Sequence, residues 1–403
     1  MAPASTVEVA IIGAGPAGTA AAISLGASGV DVVLIDKTSF PRDKTCGDGL
    51  TAAALRLLKT IGVSPHDLPS WTRIDRAVIH GPDGATVDLD LPDDGPMYAA
   101  VARRSELDHR LVDIATSAGA SLLHEDVVRI TRADDHVAVD CSDGSRITAG
   151  HAVVATGASS APVMEDRKGN GHEVRGAELF GTRVYLKNTT ALPSHVHVWF
   201  LHGILPGYAW LFPLRDGAAN IGVVVHGADG ARRGAVQATR HFLSSDTLGR
   251  IAGAAIEPTD RVRSWPIPAR LARRRSSGRV LFAGDAAGVA DPMTGEGIAQ
   301  ALQSGLLAAK AIAKATRGID AATRYQIMSG AAFRSNHLAS RVALPLLRRP
   351  ATTRAAIRLM GSGSKRRSYA ARWMWEDVPR SAFISPLAFA RSLSGPHGAV
   401  FEG

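Results

Sequence analysis

Three glycines, Gly13, Gly15 and Gly18, stand between an apolar run, Val7 to Ile12, and an alanine-rich, helix-forming segment from Thr19 to about Ala27. A second apolar run, Val30 to Ile35, ends on Asp36. Strand, glycine turn, helix, strand and acid in that order make a dinucleotide-binding βαβ unit. Gly13 lets the chain turn tightly, and Gly15 lets backbone N–H groups approach a pyrophosphate. Gly18 allows the helix to pack closely on the strand, and the helix N-terminus favours the anion. Asp36 is placed to accept hydrogen bonds from a ribose hydroxyl. Ala17, inside the turn, and Lys37, beside the acid, complete the candidate binding residues of this unit. The motif does not say which dinucleotide binds.

A second constellation lies near residue 285. A short apolar strand, Arg279 to Phe282, leads into Gly284-Asp285-Ala286-Ala287-Gly288 and then Asp291-Pro292-Met293-Thr294-Gly295-Glu296-Gly297-Ile298. An Ala/Leu-rich helix is expected from near Gly295 to about Ala315. Together with the N-terminal unit, this stretch resembles the flavin-binding signature of the family containing para-hydroxybenzoate hydroxylase, geranylgeranyl reductases and flavin-dependent halogenases. The resemblance implies FAD as cofactor, with Asp285 hydrogen-bonded to its ribityl chain. It also implies that Gly284, Pro292, Gly295, Gly297 and Ile298 shape a loop leading a helix N-terminus toward the flavin pyrimidine edge. A positive helix end with free N–H groups suits the negative charge of reduced flavin.

Within that family, Pro41-Arg42-x-Lys44-x-Cys46-Gly47-x-Gly49 most resembles the geranylgeranyl-reductase branch. The resemblance implies Arg42 near the FAD phosphates and Cys46-Gly47 at the border of the isoalloxazine ring. Lys44 is either part of that border or a solvated side chain. Tyr208-Ala209-Trp210-Leu211-Phe212-Pro213 matches the branch's YxWxFP pattern. On a strand, Tyr208, Trp210 and Phe212 share one face, and an aromatic face beside a flavin suits an extended apolar substrate. Cys46, Tyr208 and Trp210 are therefore the candidate catalytic residues, as positioners of substrate, with a packed thiol and sheet-core aromatics as the alternative. Arg104 matches a family arginine that faces the cofactor. One departure concerns the electron donor. The family usually shows Ala-Asp-Gly with a later Ser and Arg, whereas this chain has Ala155-Thr156-Gly157-Ala158-Ser159-Ser160-Ala161-Pro162. No second GxGxxG unit is present, so NAD(P)H is expected to reach the flavin transiently, unless another donor reduces it.

These residues need elements to hold them. The expected fold is α/β, a discontinuous Rossmann-like FAD-binding domain (1–75, 100–160 and 276–320) with an antiparallel β-sheet substrate domain (76–99 and 161–275). A helical C-terminal segment, 321–403, follows, broken at Pro345, Pro350 and Gly361–Ser364. Arg76 to Leu91 reads as two strands around Gly81–Gly84. Ser105 reads as the N-cap of a helix running to Ser117, and 136–156 as a hairpin around Ser142–Gly144. Residues 161–274 alternate strand and turn signals with little helix signal.

Composition bounds the rest. The chain has 403 residues and only two cysteines, Cys46 and Cys141, which excludes a disulfide scaffold and suits a reducing cytoplasm. No Cys/His cluster has metal-ligand spacing, so no metal is expected. No signal peptide or transmembrane run is seen. Lys/Arg outnumber Asp/Glu by twelve to three from Ala331 onward, which accounts for the whole net charge of +9. No nucleic-acid motif accompanies that charge. Trp373, Trp375, Phe383, Ile384, Leu387 and Phe389 lie among Arg366, Arg367, Arg372 and Arg380. Such a segment packs on the protein, the favoured expectation, or rests on an anionic membrane surface. The expected localisation is cytoplasmic, with peripheral membrane contact as that alternative.

The leading expectation is an FAD-dependent oxidoreductase in which reduced flavin delivers a hydride to a carbon–carbon double bond of an apolar, isoprenoid-like substrate. The alternatives are an FAD-dependent monooxygenase acting on an aromatic or alkene natural product and, outside enzymes, a prenyl or lipid carrier. No histidine or acid has a motif that marks it as proton donor.

Overall fold

The computed structural model describes residues 5–92, 97–158, 163–165, 177–189, 192–215, 217–227, 231–253, 256–315 and 319–383. Ser159–Pro162, Ile384, Leu387 and Phe389 lie outside the described residues.

Strand β1 (Ser5–Ile12) runs through the middle of the first sheet. It pairs in parallel with β2 (Val32–Ile35) on one side and with Arg146–Val154 on the other. Ser121–Leu123 extends the parallel set beyond β2, and Val280–Phe282 extends it beyond Arg146–Val154. Val9–Ile12 and Val32–Ile35 are all buried, as strands covered on both faces must be. Because these strands are parallel, Gly13, Asp36, Ala155 and Ala283 all emerge at one edge, where open α/β sheets bind ligands. Helix α1 (Pro16–Gly26) is apolar nearly all round and buried almost throughout. The helix Ile298–Ala313 crosses it so closely that a Cβ on Gly305 would sit 2.0 Å from the Ala17 carbonyl oxygen.

The second sheet runs Glu257–Pro258, Leu179–Lys187, Ala219–His226, Tyr208–Pro213, His195–Trp199, Arg76–His80 and Thr86–Asp90, with Arg263–Ile267 also on Leu179–Lys187. It is antiparallel except where His195–Trp199 meets Arg76–His80 in parallel. Two helices, Ala231–Leu243 and Asp246–Ala252, correct the expectation of little helix in this region. They form because Ala235, Thr239 and Phe242 recur at helical spacing and bury against the sheet core with Leu248.

The helix Arg104–Ser117 starts before Ser105, which is therefore not its cap. Distant side chains satisfy its first N–H groups instead: Arg103 N donates to Ser70 Oγ at 2.9 Å and Arg104 N to Asp48 Oδ1 at 3.2 Å.

The C-terminal helices Ala321–Ala343, Pro350–Gly361 and Ser364–Met374 break where the prolines and glycines stand. Ile357, Ala370, Ala371 and Trp375 share a core with Ala77, Ile79 and Leu89 of the second sheet. The described part of this segment thus packs on the protein. Among the described residues no helix is long and apolar enough to cross a membrane.

Candidate active site

At the sheet edge, Gly13 has φ +102°, and a Cβ there would lie 2.4 Å from the Ala155 carbonyl oxygen. A Cβ on Gly18 would lie 1.8 Å from the Gly13 carbonyl oxygen. Both glycines are demanded by the fold itself. Gly15 is different. It caps α1 with ordinary backbone angles, and its Cβ would meet nothing nearer than Arg42 Nη2 at 3.7 Å. What requires a bare backbone at Gly15 is the space in front of it. Asp36 accepts hydrogen bonds from Ala14 N at 2.8 Å and from Thr38 N and Oγ1 at 3.0 and 2.6 Å, so it ties the glycine turn to the end of β2. Lys37 is half exposed and 3.6 Å from Asp126.

The Arg42 guanidinium bridges Asp36 at 3.6 Å and Asp108 at 3.7 Å, while its Nε is buried without a hydrogen-bond partner. Arg104 grips the same Asp108 with two bonds of 2.8 and 2.9 Å, one helical turn away. Burial opposes the Arg104 charge, but Asp108 and Cys46 hold the guanidinium well above its usual range. Cys46 stands half-buried beside it, and burial pushes its thiol up to about 11, so it is no thiolate at neutral pH. Lys44 turns inward, its Nζ 3.2 Å from the centre of the Trp265 ring. Burial pushes its ammonium down to about 7, against the pull of Asp285.

Behind the Cys46–Gly49 turn lies a polar network that sequence reasoning missed. Asp48, fully buried with φ +63°, accepts from Arg104 N, from Tyr185 Oη at 2.7 Å and from Asn220 Nδ2 at 2.8 Å. Asn220 also donates to the Cys46 carbonyl at 2.9 Å and accepts from Trp210 Nε1 at 2.9 Å. Burial pushes the Asp48 carboxyl up to about 6. The only sequence signal for Asn220 was a polar residue in an otherwise apolar strand.

Opposite, Asp285 projects between two glycines. Its carboxyl oxygens are 3.9 Å from where a Gly157 Cβ would be and 3.7 Å from a Gly297 Cβ. Burial raises its pKa, and Lys44 pulls it back. The loop that follows is built on Asp291, which accepts from Met293 N, Thr294 N and Thr294 Oγ1 within 3.0 Å. Glu296 Oε1 accepts at 3.0 Å from Ile298 N, the first N–H of the helix Ile298–Ala313, whose N-cap is Gly297.

One cavity of about 1150 Å³ joins these parts. That exceeds the roughly 300–1,000 Å³ of ordinary small-molecule sites. It runs from Gly13, Gly15 and Asp36 past Arg42, Cys46 and Asp285, then along Tyr208, Trp210 and Phe212, to Leu346, Met360, Tyr369 and Trp373 of the C-terminal helices. Tyr208, Trp210 and Phe212 form a ladder with ring centres 6.2 and 6.1 Å apart. Trp210 is wedged between Gly222 and Gly47, and Tyr208 Oη donates to the Thr294 carbonyl. The structure therefore brings together Gly13, Gly15, Ala17, Asp36, Lys37, Arg42, Cys46, Gly47, Arg104, Tyr208, Trp210, Gly284, Asp285, Gly295, Gly297 and Ile298 on this cavity. Gly18 and Pro292 do not line it. Gly18 serves helix packing, and Pro292 is buried behind the loop. Lys44, Gly157, Trp265 and Glu296 line it as well.

The donor set fits FAD. Bare backbone at Gly15, an arginine Nε without a partner and a carboxylate flanked by glycines are what a pyrophosphate and a polyol chain use. Comparison with known proteins agrees. Residues 6–326 match the FAD binding domain family. The chain is 34% identical over 322 residues to a menaquinone reductase of Mycolicibacterium smegmatis, covering 75% of each. It is 27% identical over 330 residues to digeranylgeranylglycerophospholipid reductase 2 of Methanopyrus kandleri, covering 79% of this chain and 80% of the relative. Its fold matches that of a geranylgeranyl bacteriochlorophyll reductase-like protein from Thermoplasma acidophilum, with a TM-score of 0.77 at 20% identity over 92% of this chain and 96% of the other. The protein is an FAD-dependent oxidoreductase, and it belongs to the FAD binding domain family together with the mycobacterial menaquinone reductases.

Proposed function

We propose that this flavoprotein reduces a carbon–carbon double bond of an apolar, isoprenoid-like substrate. The observation that carries the reading is the continuation of the cofactor cavity into an apolar arm between the aromatic ladder and the C-terminal helices. Relatives named for menaquinone and for digeranylgeranylglycerophospholipid support it, since both names denote isoprenoid chains.

FAD supplies the hydride chemistry when reduced. The chain's residues do the holding. Gly13, Gly15 and the start of α1 take the pyrophosphate with Arg42, and Asp36 and Lys37 sit at the adenosine end. Asp285 takes the ribityl chain. Cys46 and Gly47 border the ring, with Arg104 held behind them by Asp108. The loop from Gly295 to Ile298 offers N–H groups to its pyrimidine edge. Tyr208 and Trp210 position the substrate arm and exclude water. The first sheet with its helices is thus a cofactor domain, and the second sheet is a substrate domain. NAD(P)H, arriving transiently, is the proposed reductant.

Leu346 and Leu359 line the cavity, yet they are 49% and 58% exposed, so they mark its mouth. Leu338 and Val342, on the helix that leads to Leu346, are exposed as well, with Arg341, Arg348 and Arg358 close by in sequence. We place this rim, on the cytoplasmic side, against an anionic membrane from which the substrate enters. Flotation with anionic liposomes tests it, and a protein that stays at the bottom of the gradient removes the membrane from the proposal.

The activity is tested by incubating FAD-loaded enzyme with NADH or NADPH and a short-chain menaquinone under nitrogen. A product that is still heavier by two hydrogens after its quinol ring has been reoxidised, with the gain in the isoprenoid side chain, supports reduction. In air, a product heavier by one oxygen, with a transient peroxyflavin spectrum, overturns it in favour of hydroxylation.

A further inference from the structure

Two carboxyl groups and one guanidinium are buried behind the 292–298 loop, and a third carboxyl, the half-buried Glu296, stands in the loop itself. Arg380 lies 3.9 Å from Asp291 and 4.0 Å from Glu376, and all three are nearly inaccessible. Glu296 is the third acid. One guanidinium cannot balance three carboxylates in such surroundings, so the cluster retains a proton. Asp291 is not its holder. Arg380, Ser340 Oγ and the N–H groups of Met293 and Thr294 overcome the cost of burial and keep Asp291 below its usual range. Burial raises both glutamates, and Glu376 raises Glu296 further. Glu376 accepts from Thr51 Oγ1 at 3.0 Å and from Gln300 Nε2 at 2.6 Å, which favours its ionised form. Glu296 also accepts, from Ile298 N at 3.0 Å, so the two glutamates share the proton, and Glu296 is the one of the two that lines the large cavity.

The two glutamates face different spaces. Glu296 lines the large cavity. Glu376 lines a separate void of about 30 Å³ with Gln300, Gln303 and Asn336. That is room for about one water among polar partners. The titratable and charged groups that act on Glu296 are Glu376 and Arg380 from the C-terminal turn, with Asp291 in its own loop and Tyr208 and Cys46 on the facing elements.

We propose that Glu296 is the proton donor of the double-bond reduction, and that Glu376 returns the proton to it from water in the small void. This rests on the reduction reading above. The step balances: one alkene carbon takes a hydride from reduced flavin, which is oxidised by two electrons. The adjacent carbon takes the proton from the Glu296 carboxyl, and the carboxylate left behind is reprotonated by water through Glu376.

The test uses FAD-loaded wild type, Glu296→Gln and Glu376→Gln. In the infrared spectrum of the wild-type holoenzyme, a buried protonated carboxyl band that shifts in heavy water is expected, and it is expected to be missing in Glu296→Gln. Mixed anaerobically with a short-chain menaquinone, reduced Glu296→Gln is expected to form the side-chain-saturated product about 100-fold or more slowly, without the alkaline limb of the wild-type pH profile. Glu376→Gln removes a negative neighbour, so its alkaline limb is expected about one unit lower. If Glu296→Gln does not retain FAD, the Glu376→Gln limb decides, and an unmoved limb overturns the proposal. A wild-type rate and pH limb in Glu296→Gln, or no carboxyl band in the wild type, overturns it while a product heavier by two hydrogens leaves the reduction reading standing. If wild type yields no reduced product, both fall.

Discussion

Asn220 Nδ2 donates to the Asp48 carboxylate at 2.8 Å across 172 residues of sequence. This contact fastens the Cys46–Gly49 turn of the cofactor side to the central strands of the second sheet. Asn220 makes two more bonds there, accepting from Trp210 Nε1 and donating to the Cys46 carbonyl. Asn220→Ala would strand Trp210 Nε1 and the Cys46 carbonyl and take one of three donors from Asp48, and a loss of about 1–3 kcal/mol is expected. Urea unfolding of the apoprotein checks this.

The Asp48 carboxyl titrates at about 6 in the folded chain against an ordinary 3.8. The folded state therefore holds this proton more tightly than the unfolded state. Its contribution to stability is complete below pH 3.8 and is lost as pH rises through about 6. Asp48→Asn cannot titrate. Whatever its constant offset, the wild type is expected to lose stability relative to it between these pH values, by on the order of 1–3 kcal/mol. Paired unfolding curves across that range give the difference directly.

Gly13 and Gly15 are expected to separate folding from cofactor binding. Gly13→Ala puts a Cβ 2.4 Å from a carbonyl oxygen at a positive φ, so the apoprotein should lose more than about 2 kcal/mol. Gly15→Ala meets no protein atom closer than 3.7 Å. Its apoprotein should melt within about 1 kcal/mol of wild type, while FAD affinity falls by about tenfold or more, close to 1.4 kcal/mol. Thermal melts and flavin-fluorescence titration of both variants decide it.

Asp108 is fully buried and carries two arginines, Arg42 and Arg104. Asp108→Asn leaves the Arg104 charge buried without its counterion. A loss of about 3–5 kcal/mol is expected, more than from removing an exposed pair. The variant should also bind FAD more weakly, because Arg42 and Arg104 lose their common anchor. Arg76→Ala, which breaks an exposed pair with Asp90, is the comparison and should leave stability nearly unchanged.

Much of the cofactor side was legible from the chain alone. Gly13-x-Gly15-x-x-Gly18, the apolar runs around it and Asp36 specify a βαβ unit because each of those requirements is local. A positive φ, a strand period and a helix start depend on residues a few positions apart. Resemblance at Gly284-Asp285 and Tyr208-x-Trp210 carried the reading to flavin. The helices Ala231–Leu243 and Asp246–Ala252 were not seen, because their apolar face is narrow and only the sheet beneath it makes them stable. Ser105 has the residue type of a cap, whereas Ser70 and Asp48 supply the capping bonds from 33 and 56 residues away. Local pattern in the chain is enough to specify a glycine turn at the end of a strand and three aromatics on one face of another. Which charges share a buried space follows from the packing of the folded chain alone. Lys44 under Trp265, Asp48 with Asn220, and Glu296 with Glu376 and Arg380 are pairings of distant residues. Their electrostatics arise from burial, which no run of neighbouring residues encodes.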